Sequence, residues 1–137
     1  MTRIVIVDDS PTIRRMVRSS LATAVPAATF VEAASGLEAI EQLTLGPVTL
    51  MVLDLNMPDM HGLEVLNFVR RHPVYRALPV MVLTTRGDDA SRLAAMEAGA
   101  TAYMTKPFVP QALADRALAL LPESAAPTLQ KDGRVNP

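Results

Sequence analysis

Runs of apolar residues alternate with segments of mixed polarity along most of this chain. The apolar runs predict five strands, at about residues 3–7, 29–32, 50–54, 79–84 and 102–105. The segments that follow them predict five helices, at about residues 11–23, 36–45, 63–71, 89–98 and 110–121. Apolar strands that alternate with helices are typical of a parallel sheet covered on both faces. The pattern therefore predicts a doubly wound α/β fold with right-handed crossovers.

Capping residues mark several of the predicted helix boundaries. Ser10, followed by Pro11, supplies an N-cap and a proline at the first helical position. Ser35 and Glu38 have the spacing of a capping box, which predicts the start of the second helix. Gly99 is a natural residue to follow the end of the fourth helix.

The domain organisation follows from the length of the chain and from where the pattern stops. A chain of 137 residues can form one domain that buries roughly 68–70% of the surface of its unfolded form. Beyond residue 121 the chain holds three prolines and few large apolar residues. We therefore expect one domain over residues 1–121 and a flexible tail over residues 122–137. Six methionines are interpreted as core or near-core residues: Met51, Met57, Met60, Met81, Met96 and Met104.

Composition narrows the classes of function. The chain has no cysteine, which excludes disulfides and thiolate metal sites and fits a reducing cytoplasm. Its formal net charge of −1 argues against a nucleic-acid binder that relies on general electrostatic attraction, and Arg14, Arg15 and Arg18 are interpreted as a solvated helix face. No apolar stretch approaches the roughly 20 residues that span a bilayer. We expect a cytoplasmic protein that does not insert into a membrane.

Acidic residues end two of the apolar strands. Asp8 and Asp9 follow the first strand, and Asp54 ends the third. Parallel sheets gather functional groups at the carboxyl ends of their strands, so these three side chains are expected to lie together. Carboxylates this close repel one another unless a cation or a proton intervenes. The pattern indicates a site for a hard divalent metal and for chemistry on a carboxylate.

Two further polar residues lie at strand ends. Thr84 closes the fourth strand and Lys106 follows the fifth. A lysine ammonium and a threonine hydroxyl can both donate to a phosphate oxygen, so acids and donors together describe a phosphoryl-transfer site. Each residue taken alone has an ordinary structural interpretation as a turn residue, a cap, a strand end or a solvated charge. Their joint occurrence at four strand ends favours the functional one.

With these motifs, the chain resembles the receiver domain of two-component response regulators, and in particular the CheY-like single-domain regulators. The resemblance covers residues 3 to about 121. It implies a flavodoxin-like (βα)5 fold with five parallel strands in the order 2-1-3-4-5. It rests on these motifs: Val7-Asp8-Asp9-Ser10, Asp54-Leu55-Asn56-Met57-Pro58-Asp59-Met60 with Gly62, Leu83-Thr84, and Tyr103-Met104-Thr105-Lys106-Pro107-Phe108.

The resemblance also implies roles for individual residues at the acidic site. Asp54 would be the phospho-acceptor. Asp9 and Asp54 would ligate Mg²⁺ directly, Asp8 would act largely through water, and the backbone carbonyl of Asn56 would complete the protein ligands. Thr84 would hold the phosphoryl oxygens.

Lys106 would hold the phosphoryl oxygens together with Thr84. Tyr103 would be the aromatic switch that turns inward as Thr84 moves toward the phosphate, and ordinary packing on a short strand is its alternative interpretation. The bond between Lys106 and Pro107 would be cis, a form that only bonds preceding proline reach at low cost.

By this resemblance the chain would be a stand-alone response regulator of two-component phosphorelay signalling. Chemotaxis is one candidate pathway. Its partners would be a sensor histidine kinase or a histidine phosphotransfer protein, and a downstream protein on the face of the fourth helix, fifth strand and last helix. It would catalyse no reaction other than its own phosphorylation and dephosphorylation.

A relay intermediate or a phosphate sink is the alternative within signalling. A small Mg²⁺-dependent phosphatase with an aspartate nucleophile is the alternative of another class, and a flavodoxin-like cofactor carrier is disfavoured by the acidic first loop.

Three features depart from the family's usual pattern. His61 stands where aspartate is common and is interpreted as a surface residue rather than a ligand. Thr85 is bulkier than the usual alanine or glycine after Thr84. The fourth helix begins at the acidic pair Asp88-Asp89, where the best-known chemotaxis regulator is basic, which weakens the transfer of a flagellar-motor partner to this chain.

Overall fold

Strands and helices alternate through the domain in this computed structural model, which describes residues 1–122, 128–129 and 135–136. The strands are β1 (Arg3–Val7), β2 (Thr29–Ala33), β3 (Leu50–Leu53), β4 (Val80–Thr84) and β5 (Ala102–Thr105). The helices are α1 (Pro11–Ala24), α2 (Gly36–Leu45), α3 (Gly62–Arg71), α4 (Asp89–Glu97) and α5 (Pro110–Leu120). Every predicted element of the domain is therefore confirmed, with small differences at its ends.

The five strands of the domain form one parallel sheet in the order β2-β1-β3-β4-β5. This confirms the expected flavodoxin-like fold. The order reverses between β1 and β3, so the connections that leave these two strands run to opposite sides. Such a reversal opens a crevice beyond the carboxyl ends of the strands, where α/β proteins place their sites.

Two apolar layers cover the two faces of the sheet. Val5 and Val7 of β1 point into the layer formed with α2, α3 and α4. Ile4 and Ile6 of the same strand point into the layer formed with α1 and α5. Because both faces are covered, the strands are apolar at successive positions. Met96 is an exception among the methionines expected in the core: it is 44% exposed on α4, so that prediction is wrong for this residue.

The expected capping residues lie at the helix ends. The Ser10 hydroxyl accepts the backbone N–H of Ile13 at 3.3 Å, and Pro11 opens α1. The Ser35 hydroxyl accepts the N–H of Glu38 at 3.1 Å at the start of α2. Gly99 has a φ of +107°, a left-handed conformation that favours glycine after a helix.

The tail expected to be flexible, residues 122–137, lies largely outside the described residues. Within it the structure describes two short strands that the sequence did not predict, β6 (Thr128–Leu129) and β7 (Val135–Asn136), paired antiparallel. Among the helices of the described part of the chain, none has the length and apolar character needed to cross a membrane.

Arg70, near the end of α3, joins three segments of the chain at the amino ends of the strands, opposite the crevice. Its guanidinium donates to the carbonyl of Gly99 at 2.9 Å, to that of Leu78 at 2.7 Å and to that of Arg76 at 3.1 Å. A further bond reaches the Thr101 hydroxyl at 3.3 Å. One side chain thus satisfies carbonyls of the loops before β4 and β5 that lack partners in the sheet.

We expect the substitution Arg70→Met to lower the free energy of unfolding by about 1–3 kcal/mol, because partly buried carbonyls lose their donor while the apolar stem is kept. Urea denaturation measures this change. Arg71→Met is the matched control, since Arg71 is exposed one position further along the same helix. Equal stability of the two variants would show that the Arg70 bonds contribute nothing.

Candidate functional site

The pairing of β1 with β3 brings the acidic residues together. Val7 lies beside Leu53 in the parallel register, so Asp8 and Asp54 leave the sheet side by side. The backbone N–H of Asp54 donates to the carbonyl of Val7 at 3.0 Å, which extends the ladder to the site itself. Asp8, Asp9 and Asp54 each offer a carboxylate oxygen within 4.8 Å of the others. Asp8 and Asp54 are buried, whereas Asp9 is exposed.

Lys106 reaches this cluster from the end of β5. Its Nζ lies 2.7 Å from Oδ2 of Asp8 and 3.7 Å from Oδ2 of Asp54. Its backbone N–H donates to the carbonyl of Thr84 at 2.8 Å, so β4 and β5 fix the start of the side chain. The other oxygen of Asp8, Oδ1, accepts the N–H of Ser10 at 2.9 Å. The peptide bond between Lys106 and Pro107 is cis, as expected.

The acidic cluster carries more negative charge than Lys106 neutralises. Burial raises the pKa of the Asp54 carboxyl above its usual value of 3.8, and the nearby charge of Asp8 raises it further. Lys106 acts in the opposite direction, as do hydrogen bonds from the N–H of Asn56 and the hydroxyl of Thr84, but the net shift of the pKa is upward. Grouped carboxylate oxygens with excess negative charge fit a hard divalent cation such as Mg²⁺.

The loop after β3 packs closely against the phospho-acceptor candidate. Gly62 donates its N–H to the carbonyl of Leu55 at 2.8 Å, and a Cβ at this position would lie 2.5 Å from the carbonyl oxygen of Asp54. Only glycine therefore allows the loop to return so near. Asn56, expected to offer its carbonyl to the metal, is exposed in this loop two residues after Asp54.

Asp59 ties the same loop to α2. Its carboxylate accepts the backbone N–H groups of Gly36 at 3.2 Å and Leu37 at 3.1 Å. Desolvation favours a higher pKa for Asp59, but the N–H groups of Leu37 and Gly36 together with other backbone hydrogen bonds lower the pKa below its usual value. The carboxylate is therefore held in its charged form at a helix N-terminus, where negative charge is favoured.

Thr84 and Tyr103 both bond to the backbone of Arg86, in the loop after β4. Thr84 is fully buried, and its Oγ1 accepts the N–H of Arg86 at 3.4 Å. The Tyr103 hydroxyl donates to the carbonyl of the same Arg86. Tyr103 is 3% exposed, and the guanidinium of Arg92 lies over its ring, 4.9 Å from the ring centroid. The two proposed switch residues are thus connected through the backbone of Arg86, which sequence reasoning did not find.

His61 has a structural role that the sequence analysis missed. It is the N-cap of α3, and its Nδ1 accepts the N–H of Leu63 at 3.1 Å. This bond requires an unprotonated Nδ1. The position of His61 immediately before a helical segment was the available signal, but histidine is an uncommon cap.

We expect Asp54→Asn to be more stable than the wild-type protein at pH 7 without divalent metal, by on the order of 1 kcal/mol. The raised pKa means that the folded state holds this proton more tightly than the unfolded state. The resulting stabilisation is present below the unfolded pKa and is lost as pH rises through the folded pKa.

Thermal unfolding in a chelator tests this expectation, with the difference between the proteins narrowing as pH falls toward 4. Asp115→Asn, at an exposed acid on α5, is the control and should leave the melting temperature nearly unchanged. A less stable Asp54→Asn at pH 7 would contradict the electrostatic argument.

The chain is similar to known proteins in sequence and structure. The sequence model of the response regulator receiver domain matches residues 4–118. A chemotaxis protein CheY homolog of Campylobacter jejuni is 37% identical over 115 residues, which cover 83% of this chain and 88% of that protein. The chemotaxis response regulator CheY4 of Vibrio cholerae has a TM-score of 0.80 at 31% identity, over 88% of this chain and 99% of that one. The response regulator TrrA of Thermotoga maritima, solved in complex with Mg²⁺ and BeF, has a TM-score of 0.76 at 30% identity, over 88% and 100% of the two chains. The match over most of the chain shows that this protein belongs to the response regulator receiver domain family.

Proposed function

We propose that Asp54 accepts a phosphoryl group from the phosphohistidine of a sensor histidine kinase or a histidine phosphotransfer protein. The observation that carries this proposal is the buried Asp54 carboxylate grouped with two further acids and one lysine. A carboxylate oxygen of Asp54 forms the bond to phosphorus while the bond from phosphorus to the imidazole nitrogen breaks. The imidazole leaves with a proton, and an acyl phosphate remains on Asp54.

The surrounding residues bind and neutralise the transferred group. Lys106, 3.7 Å from Oδ2 of Asp54, presents its ammonium to the phosphoryl oxygens as a compact positive charge. The Thr84 hydroxyl, which helps to lower the pKa of the Asp54 carboxyl, donates to another of these oxygens. After transfer, the Lys106 ammonium contacts the phosphoryl oxygens instead of the Asp54 carboxylate. The ammonium therefore stays inside the site.

The acidic cluster supports a magnesium site in this proposal. Asp9, Asp54 and the carbonyl of Asn56 would hold Mg²⁺ directly, and Asp8 would act largely through water. When bound, Mg²⁺ offsets the repulsion between the carboxylates and the incoming phosphoryl group. The similar structure of TrrA was solved in complex with Mg²⁺ and BeF, which supports a magnesium site but does not identify its ligands.

Phosphorylation would reach the partner-binding face through Thr84 and Tyr103. A phosphoryl oxygen competes for the Thr84 hydroxyl, whose oxygen also accepts the N–H of Arg86. Movement of the Arg86 backbone displaces its carbonyl, which accepts the hydrogen bond from the Tyr103 hydroxyl. The face formed by α4, β5 and α5 then shifts toward its partner-binding conformation, which is a change of population between two states.

In this proposal the protein is a cytoplasmic response regulator that binds a downstream protein when phosphorylated. Similarity to chemotaxis proteins of two bacteria supports a chemotaxis pathway. Catalysis is limited to the protein's own phosphorylation and dephosphorylation.

The test of phosphorylation is intact mass after incubation with Mg²⁺ and acetyl phosphate. We expect wild type and the control Asp115→Asn to gain one phosphoryl group, about 80 Da, and Asp54→Asn to gain none. An adduct on Asp54→Asn would contradict the assignment of Asp54. Steady turnover of a phosphoester without a stable adduct would favour a phosphatase instead.

The test of switching is the amide NMR spectrum before and after phosphorylation. We expect shifts at Arg86, Tyr103 and along α4 in the wild-type protein. In Thr84→Val, which lacks the hydroxyl, the shifts should stay near Asp54. Thr85→Val is the matched control, because Thr85 is the exposed neighbour on the same loop. Equal spread of shifts in Thr84→Val and wild type would exclude the route through Thr84.

A further inference from the structure

Arg14 on α1 reaches back to the loop that carries two of the acids. Its side chain is only 15% exposed, so its interpretation as part of a solvated helix face is wrong. Its Nη1 donates to the backbone carbonyl of Asp8 at 2.6 Å. That carbonyl belongs to the peptide that joins Asp8 to Asp9. The orientation of this peptide sets the direction in which Asp9 leaves the loop.

Glu32 fixes the guanidinium of Arg14 from the other side. Nε of Arg14 donates to Oε1 of Glu32 at 3.0 Å, and Nη1 of Arg18 donates to Oε2 at 3.2 Å. Glu32 lies on β2 directly beside Ile6 of β1, so its backbone is part of the sheet. A planar guanidinium can hold a carboxylate and a carbonyl at once in fixed geometry, which a lysine cannot. Arg14 therefore connects the sheet to the Asp8-Asp9 peptide.

The two acids of this loop differ in how they are held. The Asp8 carboxylate is buried and bonded to Lys106 and to the N–H of Ser10. Asp9 is exposed, so its carboxylate depends on the backbone for its position. A ligand held in place before the cation arrives loses less conformational entropy on binding. Fixing the peptide before Asp9 should therefore strengthen binding of a cation at the cluster.

We propose that Arg14 is a positioning residue for the metal site, which it serves by fixing the Asp8-Asp9 peptide. The role rests on the proposed Mg²⁺ site. The bonds of Arg14 go to Glu32 and to the Asp8 carbonyl, and not to the acidic side chains that would hold the metal. Partners of this kind, one step removed from the metal, commonly change affinity by about 10–100-fold when they are lost.

Whether Mg²⁺ binding weakens or tightens when Arg14 is replaced distinguishes a positioning role from a purely electrostatic one. The positive charge of Arg14 repels a divalent cation, so its removal should tighten Mg²⁺ binding if charge alone mattered. Loss of the hydrogen bond to the Asp8 carbonyl should weaken Mg²⁺ binding instead. Arg15, exposed one position further along α1, carries the same charge and serves as the matched control.

The experiment is a calorimetric titration of Mg²⁺ into the full chain at pH 7. We expect Arg14→Gln to weaken Mg²⁺ binding by about tenfold. Arg14→Lys keeps the charge but not the two-sided geometry, and it should also weaken binding. Arg15→Gln should bind Mg²⁺ as tightly as the wild-type protein or slightly more tightly. Thermal unfolding without metal establishes whether each variant is folded. If Arg14→Gln is not folded, Mg²⁺ binding by Arg14→Lys provides the test.

A second measurement distinguishes a positioned ligand from a generally damaged site. The rate of phosphorylation by acetyl phosphate should approach that of the wild-type protein when Mg²⁺ is raised to saturation in Arg14→Gln. A rate that stays low at saturating Mg²⁺ would overturn the positioning role, as would unchanged or tighter binding of Mg²⁺ to both Arg14 variants. Absence of Mg²⁺ binding by the wild-type protein would instead overturn the proposed function, and the positioning role with it.

Discussion

Repulsion among the carboxylates at the ends of β1 and β3 is the constraint on which the site depends. Asp8, Asp9 and Asp54 offer oxygens within 4.8 Å of one another, and Lys106 offsets only part of their charge. The pKa of Asp54 is raised as a result of its burial and of the charge of Asp8, against the pull of Lys106. A cluster with this excess of negative charge favours the binding of a cation. A metal that retains part of its hydration shell needs few protein ligands.

The fold produces this repulsion and also tolerates it. The order β2-β1-β3-β4-β5 puts β1 beside β3, so the acids of two distant segments leave the sheet together. Apolar layers cover both faces of the sheet, and their burial offsets the unfavourable charge at one edge. The role proposed for Asp54 and the stability of the fold therefore oppose each other, as is common at sites where charge is concentrated. The Arg70 bonds lie at the opposite end of the sheet, away from the acidic cluster.

The sequence was sufficient for the strands and helices and for the acids at the strand ends, because these depend on local signals, whereas the strand order came only from the family resemblance. Continuous apolar strands, capping serines and acids at strand ends can each be recognised within a few residues. The contacts of Arg14, the meeting of Thr84 and Tyr103 at Arg86, and the position of Arg92 over the Tyr103 ring could not be predicted. They depend on how segments far apart in the chain approach one another. The Asp54 motif predicted a phospho-acceptor only through the family resemblance, and that role is still a proposal.

The most direct test of the account is calorimetric titration of Mg²⁺ into two variants that change the charge of the cluster in opposite directions. Asp54→Asn removes a negative charge and a ligand, and it should bind Mg²⁺ more weakly than the wild-type protein. Lys106→Met removes the cation that lies between Asp8 and Asp54, and it should bind Mg²⁺ more tightly. Weaker binding by Lys106→Met, or unchanged binding by Asp54→Asn, would contradict the claim that a deficit of positive charge creates the site.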